Sequence, residues 1–217
     1  MTAGVRMEQA TGEGGSVIDW MTRHQRALAI GAGSIVVLVL VIWFAVASGK
    51  RKEAFALQAL EGARVAMDAG NLPLAQNELQ RVIDTYRGTD AALHATLSLN
   101  VVRMQSNQHE LASQDLQALL DRVSSGPIAA QAAELLGIAL ENQGKFSEAA
   151  DAFQRSSQLS SLTFEKADAL LSVARARATA GDTAAAVAAL ERILGDYPES
   201  AAVTEAKIRL GELSPIR

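Results

Sequence analysis

Three histidines, His24, His94 and His109, are the side chains best suited to proton transfer or metal binding near neutral pH. His94 and His109 stand 15 residues apart, too far to share a turn of one helix as paired ligands do. His24 lies in Arg23-His24-Gln25-Arg26, a composition suited to lipid headgroups. Cysteine is absent, which excludes a disulfide framework, a thiolate zinc site, an iron–sulfur cluster and a cysteine nucleophile. Asp182 and Glu191 fall on solvated helix faces. Gly12-Glu13-Gly14-Gly15 follows no strand and precedes no Lys-Ser/Thr pair, so it is no phosphate loop. Arg175-Ala176-Arg177 is too small a basic patch for nucleic acid, and the net charge of −4 opposes that partner as well. No catalytic residue, metal site or cofactor is expected, and the chain reads as a binding protein.

The elements that would carry such a function are helical. Hydrophobic residues make up 49% of the 217 residues, aromatics only 4%, and there are four prolines; the apolar content is mostly Ala, Leu and Val, of which Ala and Leu favour helix. The longest uncharged stretch runs from Ala27 to Gly49 and contains ten consecutive apolar residues, Ile35 to Phe44. At a helical rise it measures roughly 34 Å, enough to cross a hydrocarbon core. A signal peptide has a shorter apolar core nearer the N-terminus, so an uncleaved anchor is expected even though Ala45-Val46-Ala47 looks like a cleavage site. Arg23 and Arg26 on one flank nearly balance Lys50, Arg51 and Lys52 on the other, which leaves the orientation open. Ala27, Ala29, Gly31 and Gly33 are small residues at four-residue spacing and offer a packing face to another membrane helix. The expected division is a tail and juxtamembrane segment over 1–26, a transmembrane helix over 27–49 and a repeat domain over 50–217. Within the glycine-rich tail, Ser16 to Asp19 reads as a helix start.

The repeat has a period of 37. Gly70, Asn107, Gly144 and Gly181 keep that spacing. Ala75, Ala112, Ala149 and Ala186 follow in step, then Leu79, Leu116, Phe153 and Leu190, then Val82, Leu119, Ser156 and Ile193. Before the turn stand Ala63, Asn100, Gly137 and Ala174, mostly small. Several columns in one register mark stacked structural units. Each period predicts a helix ending at a left-handed Gly or Asn, then a second helix two or three residues later. Small residues on either side of the turn let the two helices cross closely, and the large column fills the gap between hairpins. One hairpin cannot bury both of its faces, so four hairpins must stack into a solenoid.

These columns resemble the tetratricopeptide (TPR) motif, most closely in the third unit: Leu136-Gly137, Leu140, Gly144-Lys145-Phe146, Ala149 and Phe153. The fourth unit follows with Ala174, Gly181, Ala186, Leu190 and Tyr197-Pro198, and Leu210-Gly211 falls in register as a capping half-repeat over about 200–213. The family period is about 34; the longer one here predicts longer links between hairpins. The resemblance implies an all-α solenoid whose first helices line a concave face. In register, that face carries Leu57, Leu60, Arg64 and Met67, then His94, Leu97, Val101 and Met104. Gln131, Glu134, Ile138 and Glu141 come next, then Asp168, Leu171 and Arg175. These residues either bind a partner peptide, helix or loop or pack against neighbouring hairpins. Arg64 and Arg175 are isolated and Val101 is apolar, which departs from the carboxylate clamp some family members use.

An anchor led in by Trp20-Met21-Thr22-Arg23-His24-Gln25-Arg26-Ala27-Leu28-Ala29-Ile30-Gly31, with the repeat beginning at once from Glu53, resembles the bacterial ancillary subunit family of the SecYEG translocon. That resemblance implies a bacterial inner-membrane protein with a periplasmic repeat domain, whose partners are other membrane-complex subunits or periplasmic chaperones. Two other scaffolding roles stay open: a structural accessory subunit of a photosynthetic or respiratory complex, and an assembly factor for cytochromes or outer-membrane proteins.

Overall fold

A computed structural model describes Trp20 and residues 24–213; within its first helix the side chains of residues 27–29, 31–33, 35 and 36 lie outside the described set. The described helices are α1 (Gln25–Asp68), α2 (Leu72–Thr85), α3 (Asp90–Gln105), α4 (His109–Arg122), α5 (Gly126–Asn142), α6 (Phe146–Leu159), α7 (Thr163–Thr179), α8 (Thr183–Asp196) and α9 (Ala202–Leu213). The expected helix start at Ser16–Asp19 lies outside the described residues. The chain divides into two compact units, 1–51 and 52–217.

In the first unit, α1 carries Val37 to Phe44, eight consecutive large apolar residues each more than half exposed. Eight in a row span over two turns, so apolar side chains point outward on every side of the helix. Among the described residues no helix is long and apolar enough to cross a membrane; eight of the side chains in Ala27–Gly49 fall outside that set. The expected packing face of Ala27, Ala29, Gly31 and Gly33 belongs to α1, with side chains outside the described residues.

In the second unit the period is built as expected, with one correction. Gly70, Asn107, Gly144 and Gly181 all have positive φ, at 68°, 59°, 75° and 86°. Each ends a first helix in the same way: the amide after it donates to a carbonyl five residues back, as Asn71 to Ala66, Gln108 to Arg103, Lys145 to Leu140 and Asp182 to Arg177, at 2.8–3.0 Å. This is the Schellman closure that a left-handed residue permits. Asn71 and Asp182 then cap α2 and α8 through their side chains. The links between hairpins are short, however, at three to five residues. The extra length lies in the first helices α3, α5 and α7, which run to 16 or 17 residues against 14 for their partners.

The columns read from the sequence form the core. Every residue of the alanine, large-apolar and following columns is buried, as are Ala63, Asn100, Gly137 and Ala174. One apolar cluster joins α1 with α2 and α3, and a larger one runs from α3 through α9. Two pairs of first helices pack on one another, α3 on α5 and α7 on α9, and among the described residues no comparable pairing joins second helices. The stack therefore curves with its first helices inside.

Candidate functional site

The inner face is a grid. Stepping by 37 residues, one row reads His94, Gln131, Asp168, Glu205; the next Leu97, Glu134, Leu171, Ile208; the next Val101, Ile138, Arg175, Glu212. On α1, Leu57 is exposed and Arg64 pairs with its helical neighbour Glu61 at 3.3 Å, while Met67 is half-buried against the first core cluster. Leu60 and Leu97 belong to the core, with 2% and 5% of their surface exposed. They are corrected from surface to core: Leu60 lies in the apolar cluster that α1 shares with α2 and α3, and Leu97 in the one that runs from α3 through α9. Val101, Met104, Ile138 and Leu171 are half-buried, and His94, Glu134, Asp168 and Arg175 are exposed.

Arg175 of α7 reaches across to Glu141 of α5 with two hydrogen bonds, Nε at 3.2 Å and Nη2 at 2.9 Å. Its guanidinium carbon also lies 5.9 Å from the Phe153 ring centroid. Although Glu134 is exposed as a residue, its carboxyl loses some of its hydration against the neighbouring helices, and it titrates above the usual glutamate range first for that reason and then because Glu165 and Asp168 add negative charge. Asp168 is raised likewise, by burial and then by Glu205. The capping helix α9 thus extends the grid through Glu205, Ile208 and Glu212, of which Ile208 is 59% exposed. The period that places Leu210-Gly211 in register carries this signal too.

Depressions on the outer side were not expected from the sequence. A cleft of about 300 Å³ is lined by Gln117, Leu136, Leu140, Glu148, Asp151, Ala152 and Arg155. One of about 200 Å³ is lined by Gln154, Val173, Arg177, Ala185, Ala188, Ala189 and Arg192, each 37 residues later. The outer clefts repeat residue by residue because they sit between successive second helices. A larger hollow of about 540 Å³, lined by Phe164 and Asp196 to Ser200 among others, opens beside the link after α8. Among the described residues no group of three His, Cys, Asp or Glu side chains could hold a metal ion.

A stack of helical hairpins with a ridged inner face defines the class of protein-interaction scaffold, a fold that is typically non-catalytic. The family profile described as a tetratricopeptide repeat-like domain matches residues 44–163, and a tetratricopeptide repeat matches 168–200. The chain belongs to the tetratricopeptide repeat-like family. Comparison with curated protein sequences finds no significant match. Among solved structures it is similar to the MamA protein, with 18% identity over 73% of this chain and 80% of that one and a TM-score of 0.58. A putative kinesin light chain of Podosopora anserina with nearly identical TPR-like repeats gives 18%, 74%, 86% and 0.61. A tetratricopeptide repeat protein of Parabacteroides merdae gives 13%, 73%, 59% and 0.59. At these identities the likeness concerns the fold.

Proposed function

We propose that the chain is a non-catalytic scaffold fixed to a bilayer by Ala27–Gly49, which holds a protein partner on the inner face of the repeat stack. The observation that carries the docking reading is a set of half-buried apolar side chains, one on the first helix of each of three successive hairpins: Val101 and Ile138, a 37-residue step apart, and Leu171, from the neighbouring row. Such a set gives a helix or extended segment apolar contacts at each of these hairpins. The anchor reading is supported by the eight consecutive large apolar residues from Val37 to Phe44, each more than half exposed. The resemblance of the lead-in and of the immediate start of the repeat favours an accessory subunit of a bacterial inner-membrane complex. Within that class, it favours the ancillary translocon subunit, with the repeats in the periplasm.

Extraction of the tagged chain in mild detergent, affinity capture and identification of what accompanies it tests this reading. Translocon components with a periplasmic protein are expected. Ile138→Glu should release the periplasmic protein and leave the membrane components bound. Release of the chain from membranes by alkaline carbonate would remove the anchor, and unchanged capture by both Ile138→Glu and Met104→Glu would remove the docking face.

A further inference from the structure

The inner face is polarised in charge, and the polarity describes its occupant. On α1 and α3 its positions are Leu57, Val101, Met67, Met104 and other residues without a carboxylate. On α5, α7 and α9 the same rows carry Glu134, Glu141, Asp168, Glu205 and Glu212. Among the described residues the inner-face rows at this end carry one cation, Arg175, which is taken by Glu141, and Glu205 is held by its helical neighbour Arg209. Glu134 and Asp168 enter no ion pair among the described residues. Both titrate above the ordinary range, first through desolvation of the carboxyl and then through other acids, Glu165 and Asp168 for Glu134 and Glu205 for Asp168. Like charges gathered on one surface repel, and a cation placed among them relieves that repulsion. The acids flank Ile138 and Leu171, so an apolar side chain and a cationic one from the same segment would be met together.

Resting on the docking reading above, we infer that the occupant is an amphipathic protein segment with an apolar end seated on α1 and α3 and a Lys/Arg-bearing end seated between Glu134 of α5 and Asp168 of α7. The complementarity fixes the direction of the segment as well as its sign.

The test selects peptides from a random displayed library on the purified full chain in lipid nanodiscs, then measures selected peptides by fluorescence anisotropy. The inference expects the bound pool to be enriched in Lys and Arg at one end and in apolar residues at the other. Affinity should fall about tenfold in Glu134→Gln/Asp168→Asn and again on raising salt, and should not change in the outer-surface variant Glu148→Gln. A pool neutral or acidic in composition, or affinity indifferent to Glu134→Gln/Asp168→Asn, overturns the inference. If those same peptides are still lost in Ile138→Asp, the docking reading stands and only the charge assignment falls. If Ile138→Asp also binds them unchanged, both fall. Circular dichroism of each variant separates loss of binding from loss of fold.

Discussion

The second and third hairpins close the same crossing by opposite means. In the third, Gly137 of α5 faces Phe153 of α6, and a Cβ added at Gly137 would stand 2.5–2.8 Å from three ring atoms. The ring is 1% exposed and has nowhere to go. In the second, Asn100 of α3 takes the glycine's place and Leu116 that of the phenylalanine, and both are fully buried. Asn100 is kept there by hydrogen bonds: its Nδ2 donates to the Thr96 carbonyl at 2.9 Å, and its Oδ1 accepts from Arg103 at 3.2 Å. Arg103 in turn pairs with Asp115 of α4. The first and fourth hairpins use Ala63 with Leu79 and Ala174 with Leu190. Gly with Phe and Ala with Leu fill the crossing to nearly the same combined volume, whereas Asn100 with Leu116 is bulkier and is accommodated because its buried polar groups find partners.

The largest effect should come from overfilling the apolar crossing. Gly137→Leu is expected to lower stability by about 3 kcal/mol, and Gly137→Ala by about 1–3 kcal/mol, read from denaturant unfolding. The sharper form is a double-mutant cycle. Phe153→Leu alone leaves a void costing about 1–2 kcal/mol, whereas Gly137→Ala/Phe153→Leu recreates the pair used by the first and fourth hairpins. The double variant should be more stable than the sum of the singles predicts. Simple additivity would break the volume rule.

The polar crossing should yield less. Asn100→Ala restores the commoner residue but strips one partner from Arg103 and leaves a small void, for an expected loss of about 1–2 kcal/mol. Next comes a bond between hairpins. Both carboxylate oxygens of Glu53 accept from the first amides of α3, Asp90 at 3.0 Å and Ala91 at 2.9 Å. Glu53→Ala should destabilise by about 1 kcal/mol, as loss of an N-terminal helix cap does. A still smaller contribution is expected from Gln76 donating to Ser106 and Gln143 donating to Ser113. Since 76 and 113, like 106 and 143, are 37 apart, the second bond is the first with its two residue types exchanged. Exchanging Gln76 and Ser106 should then be nearly neutral, while Gln76→Ala lowers stability by about 0.5–1 kcal/mol.

The smallest effect concerns pH. Glu134 and Asp168 hold their protons more tightly folded than unfolded. Between the ordinary and the raised values the folded state binds more protons, so their contribution to stability grows as pH falls and levels off below the ordinary range. Glu134→Gln/Asp168→Asn should therefore be slightly more stable than the parent near neutral pH, and the gain should vanish in acid. Thermal unfolding of both chains across that range reads the difference; a gain independent of pH would contradict the charge assignment.

The register was legible because it rests on strong local constraints. A left-handed turn residue leaves few choices, and a close helix crossing leaves fewer. The sign of Asn100 was legible only as an exception, since Thr96, Arg103 and Asp115 converge on it through the fold. The burial of Leu60 and Leu97 depends on which neighbouring helices close over them, which the period does not state. The same holds for the longer first helices, mistaken for longer links. Glu205, Ile208 and Glu212 were within reach of the register already in hand, whereas the outer clefts follow from curvature and carry no motif.

Site-specific photocrosslinking in living cells tests the docking face most directly. A benzophenone side chain placed at Val101 or Ile138, on the inner face, is compared with one at Gln117 or Glu148, on the rim of an outer cleft. Discrete protein adducts from 101 and 138, with none from 117 and 148, are predicted. Adducts from the outer pair with silence from the inner pair would contradict the inner-face assignment and move the partner to the clefts between second helices.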